Sequence, residues 1–361
     1  MLLAGLTESC KHDPVTPLPD TLHKHDSDTV HHPCDTCNQT RADTTSHNFT
    51  WVQSSIQNES LLNGCLVLSS SSIFTVGSSV YHFDGSVWSE FPMEDSRGFP
   101  LHGGLGGFTV FGFSQTDLWF TNGNWTSHYD GKFFYDNDLT KAGVFDLQTD
   151  GALLRSWGTS SRSMYFIGKK GTIFHFDGTN WSRYPRVTLE DLQSIWGTSD
   201  SNIWACGYNF STGNTVLVHY NGNSWSVDPK STIPTSQSGG FMSVWSCDSA
   251  GHAITFASGS LVYRKTDTGA WRSDSGRVPN LLPDNTYLGL GLIGNAANDV
   301  FAIGASGLII HWNGASWHRY DQFFDLNANN YGTGGASMKG NTDCIVGEKD
   351  GASWILVGQR Q

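Results

Sequence analysis

The feature that most narrows what this chain can fold into is a phrase it repeats. Residues 171–181 read GTIFHFDGTNW, residues 215–225 read TVLVHYNGNSW and residues 307–317 read GLIIHWNGASW. A shorter copy, YHFDGSVW, spans residues 81–88. The aromatics that close the phrase are Trp88, Phe134, Trp181, Trp225, Trp271 and Trp317, at steps of 46, 47, 44, 46 and 46 residues. His82, His128, His175 and His219 keep the same beat. A fixed period of this length means stacked supersecondary units, and about 45 residues suits four short strands and their turns, one blade of a β-propeller.

One unit reads strand by strand. An apolar inner strand runs from Leu192 to Trp196 and is followed by the turn cluster Ser199-Asp200-Ser201-Asn202. A second apolar run, from Ile203 to Cys206, ends at Gly207. The β-branched, alternating stretch from Thr215 to Tyr220 is a third strand. Asn221-Gly222 reads as a two-residue type I′ hairpin turn, in which both residues need positive φ. Residues 224–228 then form the outer strand, with Trp225 turned inward.

Six units follow this pattern. Residues 334–357 hold only three strands, around Ser337, 343–346 and 353–357. The missing fourth is expected far upstream, from Phe49 to Val52, where Trp51 stands in the place of the repeat tryptophan. An N-terminal strand joining three C-terminal ones leaves no open sheet edge. The expectation is therefore all-β: a seven-bladed propeller over residues 48–361, its last blade built from both ends of the chain. Six blades plus a remnant is the alternative.

The repeat resembles a bacterial class of propellers whose units read s-i-W-G-s-s-x-x-d-v-W-A-v-G and t-i-l-H-y-d-G-x-x-W. Residues 194–205, SIWGTSDSNIWA, carry the closest match, and the resemblance spans roughly residues 49–358. It is also similar to Asp-box repeats of sialidases and to photosystem assembly-factor propellers. The Asp box itself is imperfect, because Gly178 follows Asp177 directly. The resemblance implies a fold. It implies little about activity, since such rings host many functions.

The net charge of −12 comes from 21 Lys and Arg against 33 Asp and Glu, without a basic stripe. That disfavours nucleic acid and anionic membrane surfaces as partners. No apolar run reaches the 18–20 residues or so that a spanning helix requires. Residues 1–9 are short and mildly apolar and lead to Cys10, which resembles the end of a bacterial lipoprotein signal without its positive start. Residues 10–47 are polar, with Pro14, Pro17, Pro19 and Pro33, and read as an extended tether. Thr21, Thr29 and Thr44 each follow an aspartate, in strings that resemble the O-glycosylation signal of Bacteroidetes-type secreted proteins. An extracytoplasmic, lipid-anchored glycoprotein is the implied setting.

The tether holds His12, His23, His25, His31 and His32 and the pair Cys34 and Cys37. A soft metal site and a small disulfide both fit. A zinc ribbon needs two such pairs and only one is present, so no metal or cofactor is assigned. Among the remaining cysteines, Cys206 and Cys247 lie in neighbouring units, and Cys65 and Cys344 become neighbours when the ring closes. Disulfides Cys65–Cys344 and Cys206–Cys247 suit an oxidising compartment, whereas buried free thiols behave as small hydrophobes.

No catalytic constellation is legible. No G-x-S-x-G, H-E-x-x-H or phosphate-cradling loop is present. A sialidase-like centre needs an arginine cluster, whereas Arg155, Arg183 and Arg264 fall on ordinary repeat positions. Histidines recurring at one blade position point to a structural hydrogen bond within each blade. Function is then expected in the blade-to-blade loops at residues 91–107, 135–152, 229–240, 272–287 and 321–335. Candidate contact residues there are Arg97, His102, Tyr135, Asp136, Asp138, Tyr287, Phe323 and Tyr331. The reading is a non-enzymatic scaffold that binds protein or glycan. A structural subunit of a surface filament, using its N-terminal tail between subunits, is the first alternative and a glycan-active enzyme the second.

Overall fold

Seven four-stranded antiparallel sheets form the blades in the computed structural model, which describes residues 44–97, 109–209, 212–229, 240–259, 261–267, 269–273, 291–326 and 332–361. Strand β1 is Phe49–Ser54. Blades I to VI follow in chain order: β2–β5 (residues 64–90), β6–β9 (109–138), β10–β13 (153–183), β14–β17 (194–227), β18–β21 (243–273) and β22–β25 (291–319). Blade VII is ordered β1-β28-β27-β26, where β26 is Gly332–Lys339, β27 Thr342–Lys349 and β28 Ala352–Arg360. Neighbouring inner strands touch all the way round: β2 (Gly64–Ser69), β6 (Thr109–Ser114), β10 (Leu153–Ser160), β14 (Ser194–Ser199), β18 (Ser243–Ser249), β22 (Gly291–Ala296) and β26. The ring closed by its N-terminal strand is the expected one.

The repeated phrase now has a physical meaning. In blade IV, β15 (Asn202–Tyr208) pairs with β16 (Thr215–Tyr220), and Trp204 lies opposite His219. The imidazole stacks on the indole at 4.2 Å and its Nε2 meets Asn202 Oδ1 at 2.8 Å. Four other blades repeat the arrangement. His82 stacks on Phe74, His128 on Trp119, His175 on Tyr165 and His311 on Phe301, at 4.3–4.5 Å. Their Nε2 atoms meet Ser72, Asp117, Ser163 and Asp299. The sequence expectation of an intrablade hydrogen bond holds. Blade V places Arg264 opposite Phe256 at the same position.

The outer hairpin differs from the expected two-residue turn. Tyr220 pairs with Trp225, leaving a four-residue loop in which only Gly222 has positive φ, at 90°. Asn221 Oδ1 instead accepts the backbone N–H groups of Asn223 and Ser224, both at 3.0 Å. Asp84, Asp130, Asp177 and Asn313 make the same pair of bonds. A short side-chain acceptor thus takes over the work of a backbone turn. The loop delivers the closing aromatic: Trp225 stacks on Tyr220 at 5.3 Å and Trp317 on Trp312 at 5.6 Å.

At the closure, β1 pairs residue by residue with β28, from Phe49 opposite Arg360 to Ser54 opposite Ile355. Trp51 lies across Gly358, where a Cβ would stand 2.6 Å from its ring. Glycine at that point is what lets the indole cross the strand. Residues just before β1 rest on blade VI: Thr45 N donates to Asn313 O at 3.1 Å, and His47 Nδ1 meets His311 Nδ1 at 2.8 Å.

Candidate functional site

Each inner strand starts at the face where the blade-to-blade loops arrive. The first halves of all seven inner strands surround a cavity of about 470 Å³, the upper part of the central channel. Val110, Ile195, Val244 and Leu292 contribute apolar wall, and Trp196 and Trp245 also line it. Between blades the wall is stapled by serines. Ser194 Oγ accepts from Val244 N at 3.1 Å, Ser243 Oγ from Leu292 N at 2.9 Å, and Ser337 Oγ from Val67 N at 2.9 Å.

One lining residue breaks the repeat. Arg155 pairs with Ile167, as Ser194 pairs with Cys206 three places before the matching glycine (Gly158 in blade III, Gly197 in blade IV). A guanidinium therefore stands where blades IV and V carry stapling serines. Its Nη1 donates to the Leu154 carbonyl at 2.9 Å, and burial lowers its pKa from the usual arginine value. Arginine stays charged through such a shift. Among the described residues lining the cavity it is the one charged side chain. Sequence reading passed over it as an ordinary repeat position. Only the register shows that this position faces the channel.

The loop residues singled out in the sequence are not gathered into one site. Arg97 is exposed, and its Nε donates to Asp95 at 2.8 Å. Tyr135, Asp136 and Asp138 lie on the outer strand β9 (Phe134–Asp138), not in a loop, because β9 runs farther than the turn signals suggest. Tyr135 is exposed beside Asp130, whose hydrogen bond raises the phenol pKa. Asp136 accepts from Ser127, and Asp138 Oδ1 takes the N–H groups of Thr140 and Lys141. Phe323 packs edge-on against Trp51 at 5.4 Å, a seam contact. His102, Tyr287 and Tyr331 lie outside the described residues, as do Cys10, Thr21, Thr29, Cys34 and Cys37. Thr44 is exposed, just ahead of the segment that rests on blade VI.

The four ring cysteines correct the disulfide expectation. Cys65, Cys206, Cys247 and Cys344 are free and buried. Cys65 and Cys344 do meet at the closure and share one core cluster, but Cys65 Sγ donates to the Cys344 carbonyl at 3.2 Å instead of bonding to its sulfur. Cys206 and Cys247 belong to different clusters, one on either side of blade V's inner strand. Burial pushes the Cys65 and Cys206 thiols well up and Cys247 to about 11. Thiols so held are poor nucleophiles and pack as small hydrophobes.

No protein-family model and no curated protein matches the sequence. Solved structures do. Ycf48 bound to D1 peptide superposes with a TM-score of 0.63 at 14% identity, over 89% of this chain and 98% of that one. Ycf48 from Cyanidioschyzon merolae gives 0.60 at 14% identity, over 86% and 98%. The WD40 β-propeller domain of Doa1 gives 0.58 at 10% identity, over 88% and 98%. At such identities the likeness is one of fold.

Proposed function

We propose that the ring is a non-enzymatic scaffold that binds a protein partner on the face where the blade-to-blade loops lie and the inner strands begin. The observation that carries this reading is how the repeat spends its polar side chains. Five histidines, the residues best suited to proton transfer, are each committed to a stack and a hydrogen bond inside their own blade. What varies from blade to blade is the loop face, and variable loops on a rigid frame are where propellers place recognition. The peptide complex of Ycf48, a ring of the same architecture, supports protein as the class of partner. The reading includes an extracytoplasmic setting with an anchor at Cys10, a matter for intact mass of the protein from its source.

Photo-crosslinking in the native source tests it. A photoreactive residue is placed at Arg97 or at Leu189, which is exposed in the loop between blades III and IV, and for contrast at Ser86 or Asn223 on the hairpin face. Discrete adducts of one partner from the loop face alone are expected. Equal labelling from both faces would sink the reading.

A further inference from the structure

We infer that the residues just ahead of β1 form an acid-released latch on blade VI, closed by the imidazole pair His47–His311 and opened when both rings take up a proton. Residues 44–48 belong to no strand; Thr44, Ser46 and Asn48 are exposed, and Thr45 and His47 are half-buried against blade VI. Thr45 N and Oγ1 donate to the carbonyls of Asn313 and Asn298, at 3.1 and 2.8 Å. Tyr320 Oη donates to the His47 carbonyl at 2.8 Å. These bonds are between neutral groups. The His47 ring is different: its Nδ1 meets His311 Nδ1 at 2.8 Å, and its Nε2 meets Ser316 Oγ at 3.3 Å. Of the five stacked histidines, His82, His128, His175 and His219 keep part of their surface in solvent. His311, beneath His47, is fully buried.

The bonds around the pair fix where its protons sit. His311 Nε2–H donates to the Asp299 carboxylate at 2.8 Å, and Arg360 donates to the same oxygen. In a neutral His311 the Nδ1 atom is then an acceptor, so His47 Nδ1–H is the donor and His47 Nε2 accepts from the Ser316 hydroxyl. One added proton fits, because that hydroxyl can rotate to accept. Two do not: both Nδ1 atoms would carry hydrogen and face each other as cations at 2.8 Å. The surroundings mostly oppose added charge. The His318 ring, 5.2 Å from that of His47, and Arg360 are the neighbouring cationic groups. Asp299 is the one carboxylate that favours charge on the pair, and burial keeps nearby Asp343 protonated. Burial first, and these cationic neighbours second, hold His47 at about 4; burial also keeps His311 below its usual value. A released His47 returns to about 6.5. Opening therefore takes up protons: the latch is shut above about pH 6.5 and loosens as pH falls toward 4. His47 alone multiplies the opening constant by up to about 300-fold. Strand β1 stays in place, since its backbone ladder with β28 does not titrate. Release hands about 17 Å of extended chain to the tether and bares His311.

The test is amide hydrogen exchange of the full chain at pH 7.5 and pH 5, each corrected for the intrinsic pH dependence of exchange. Peptides covering residues 44–48 are compared with peptides covering β1. Exchange in 44–48 should rise at least about tenfold at pH 5 while β1 stays protected. His47→Gln, which keeps a donor but takes no charge, should show equal corrected exchange at both pH values. Selective 15N-histidine labelling of the parent gives a second readout without relying on any variant's exchange: one histidine signal absent from His47→Gln should titrate well below pH 6.5. Equal exchange of 44–48 at both pH values in the parent, full exchange already at pH 7.5, or a pH response that persists in His47→Gln overturns the inference. So does a His47 signal that titrates at 6.5. Loss of β1 protection together with 44–48 would show general acid unfolding and overturn it as well.

Discussion

Blade IV and blade VII each contain four strands, yet different forces hold them. Blade IV is built of strands of six, seven, six and three residues. Their side chains do much of the holding: the Trp204–His219 stack, the Asn221 turn and Trp225 over Tyr220. All of these contacts are local in sequence. Blade VII lacks the histidine, and its hairpins turn at Gly340 and at Asp350-Gly351, all with positive φ. It compensates with length, in strands of eight, eight, nine and six residues. A unit whose parts are neighbours in the chain can rely on small stacks of about 0.5–1.5 kcal/mol each. A unit assembled from opposite ends must offset a large loop-closure entropy and needs a longer backbone ladder.

The most severe way to break the comparison is to remove the part supplied from afar. Deleting residues 44–54 bares β28 along its whole edge, and we expect loss of most of the stability together with self-association through that edge. Trp225→Ala, the matching injury in blade IV, should cost only about 3 kcal/mol. Thermal unfolding and size-exclusion chromatography compare the two. A truncated ring that stays monomeric with an unchanged Tm would show that the closure is ornamental. A finer probe is Gly358→Val, whose Cβ would meet the Trp51 ring at 2.6 Å. It should cost about 2–3 kcal/mol in urea unfolding.

The smallest expected effect concerns charge. Asp343, on β27, is fully buried, and neither of its carboxyl oxygens meets a hydrogen-bond partner among the described residues. Burial raises its pKa well above the carboxylate range; nearby Asp299 adds to the rise, and Arg360 opposes it. The folded protein thus keeps a proton that the unfolded chain sheds near pH 4, so this group's contribution falls as pH rises from there to its folded pKa. His47 and His311 act in the opposite sense. Burial lowers His47 to about 4 and lowers His311, so the unfolded chain takes up protons first and stability falls as pH drops below about 6.5. Asp343→Asn should therefore stabilise more at pH 8 than at pH 5, by roughly 1–2 kcal/mol. An equal gain at both values would mean that Asp343 is ionised in the folded ring.

What the sequence made legible follows from the same contrast. Repetition exposes whatever is local: the period, the histidine bond and the inward tryptophan are each visible within one unit. The distant strand at Trp51 was legible too, because the C-terminal unit was short by one strand and Trp51 carried the repeat signature. Features made by packing units side by side were not. Tyr135 and Asp138 read as loop because polar residues alternate on an exposed outer strand. Cys65 and Cys344 were placed together correctly, but a shared core does not aim one sulfur at the other. Arg155 looks like any arginine on a strand until seven inner strands stand around one axis. At that point a single long side chain among serines and glycines becomes the odd member of a ring.

Closure by β1 also sets a timetable for the ribosome. Of the ring's strands, β1 is made first and its partner β28 last, roughly 300 residues later. At ordinary elongation rates the wait is on the order of 15–60 s. Six blades can form in that interval while the seventh cannot. Until β28 is made, the nascent ring is therefore an open arc with β1 bare, the state in which a chaperone or a protease has something to grip. The arrival of β28 withdraws that handle.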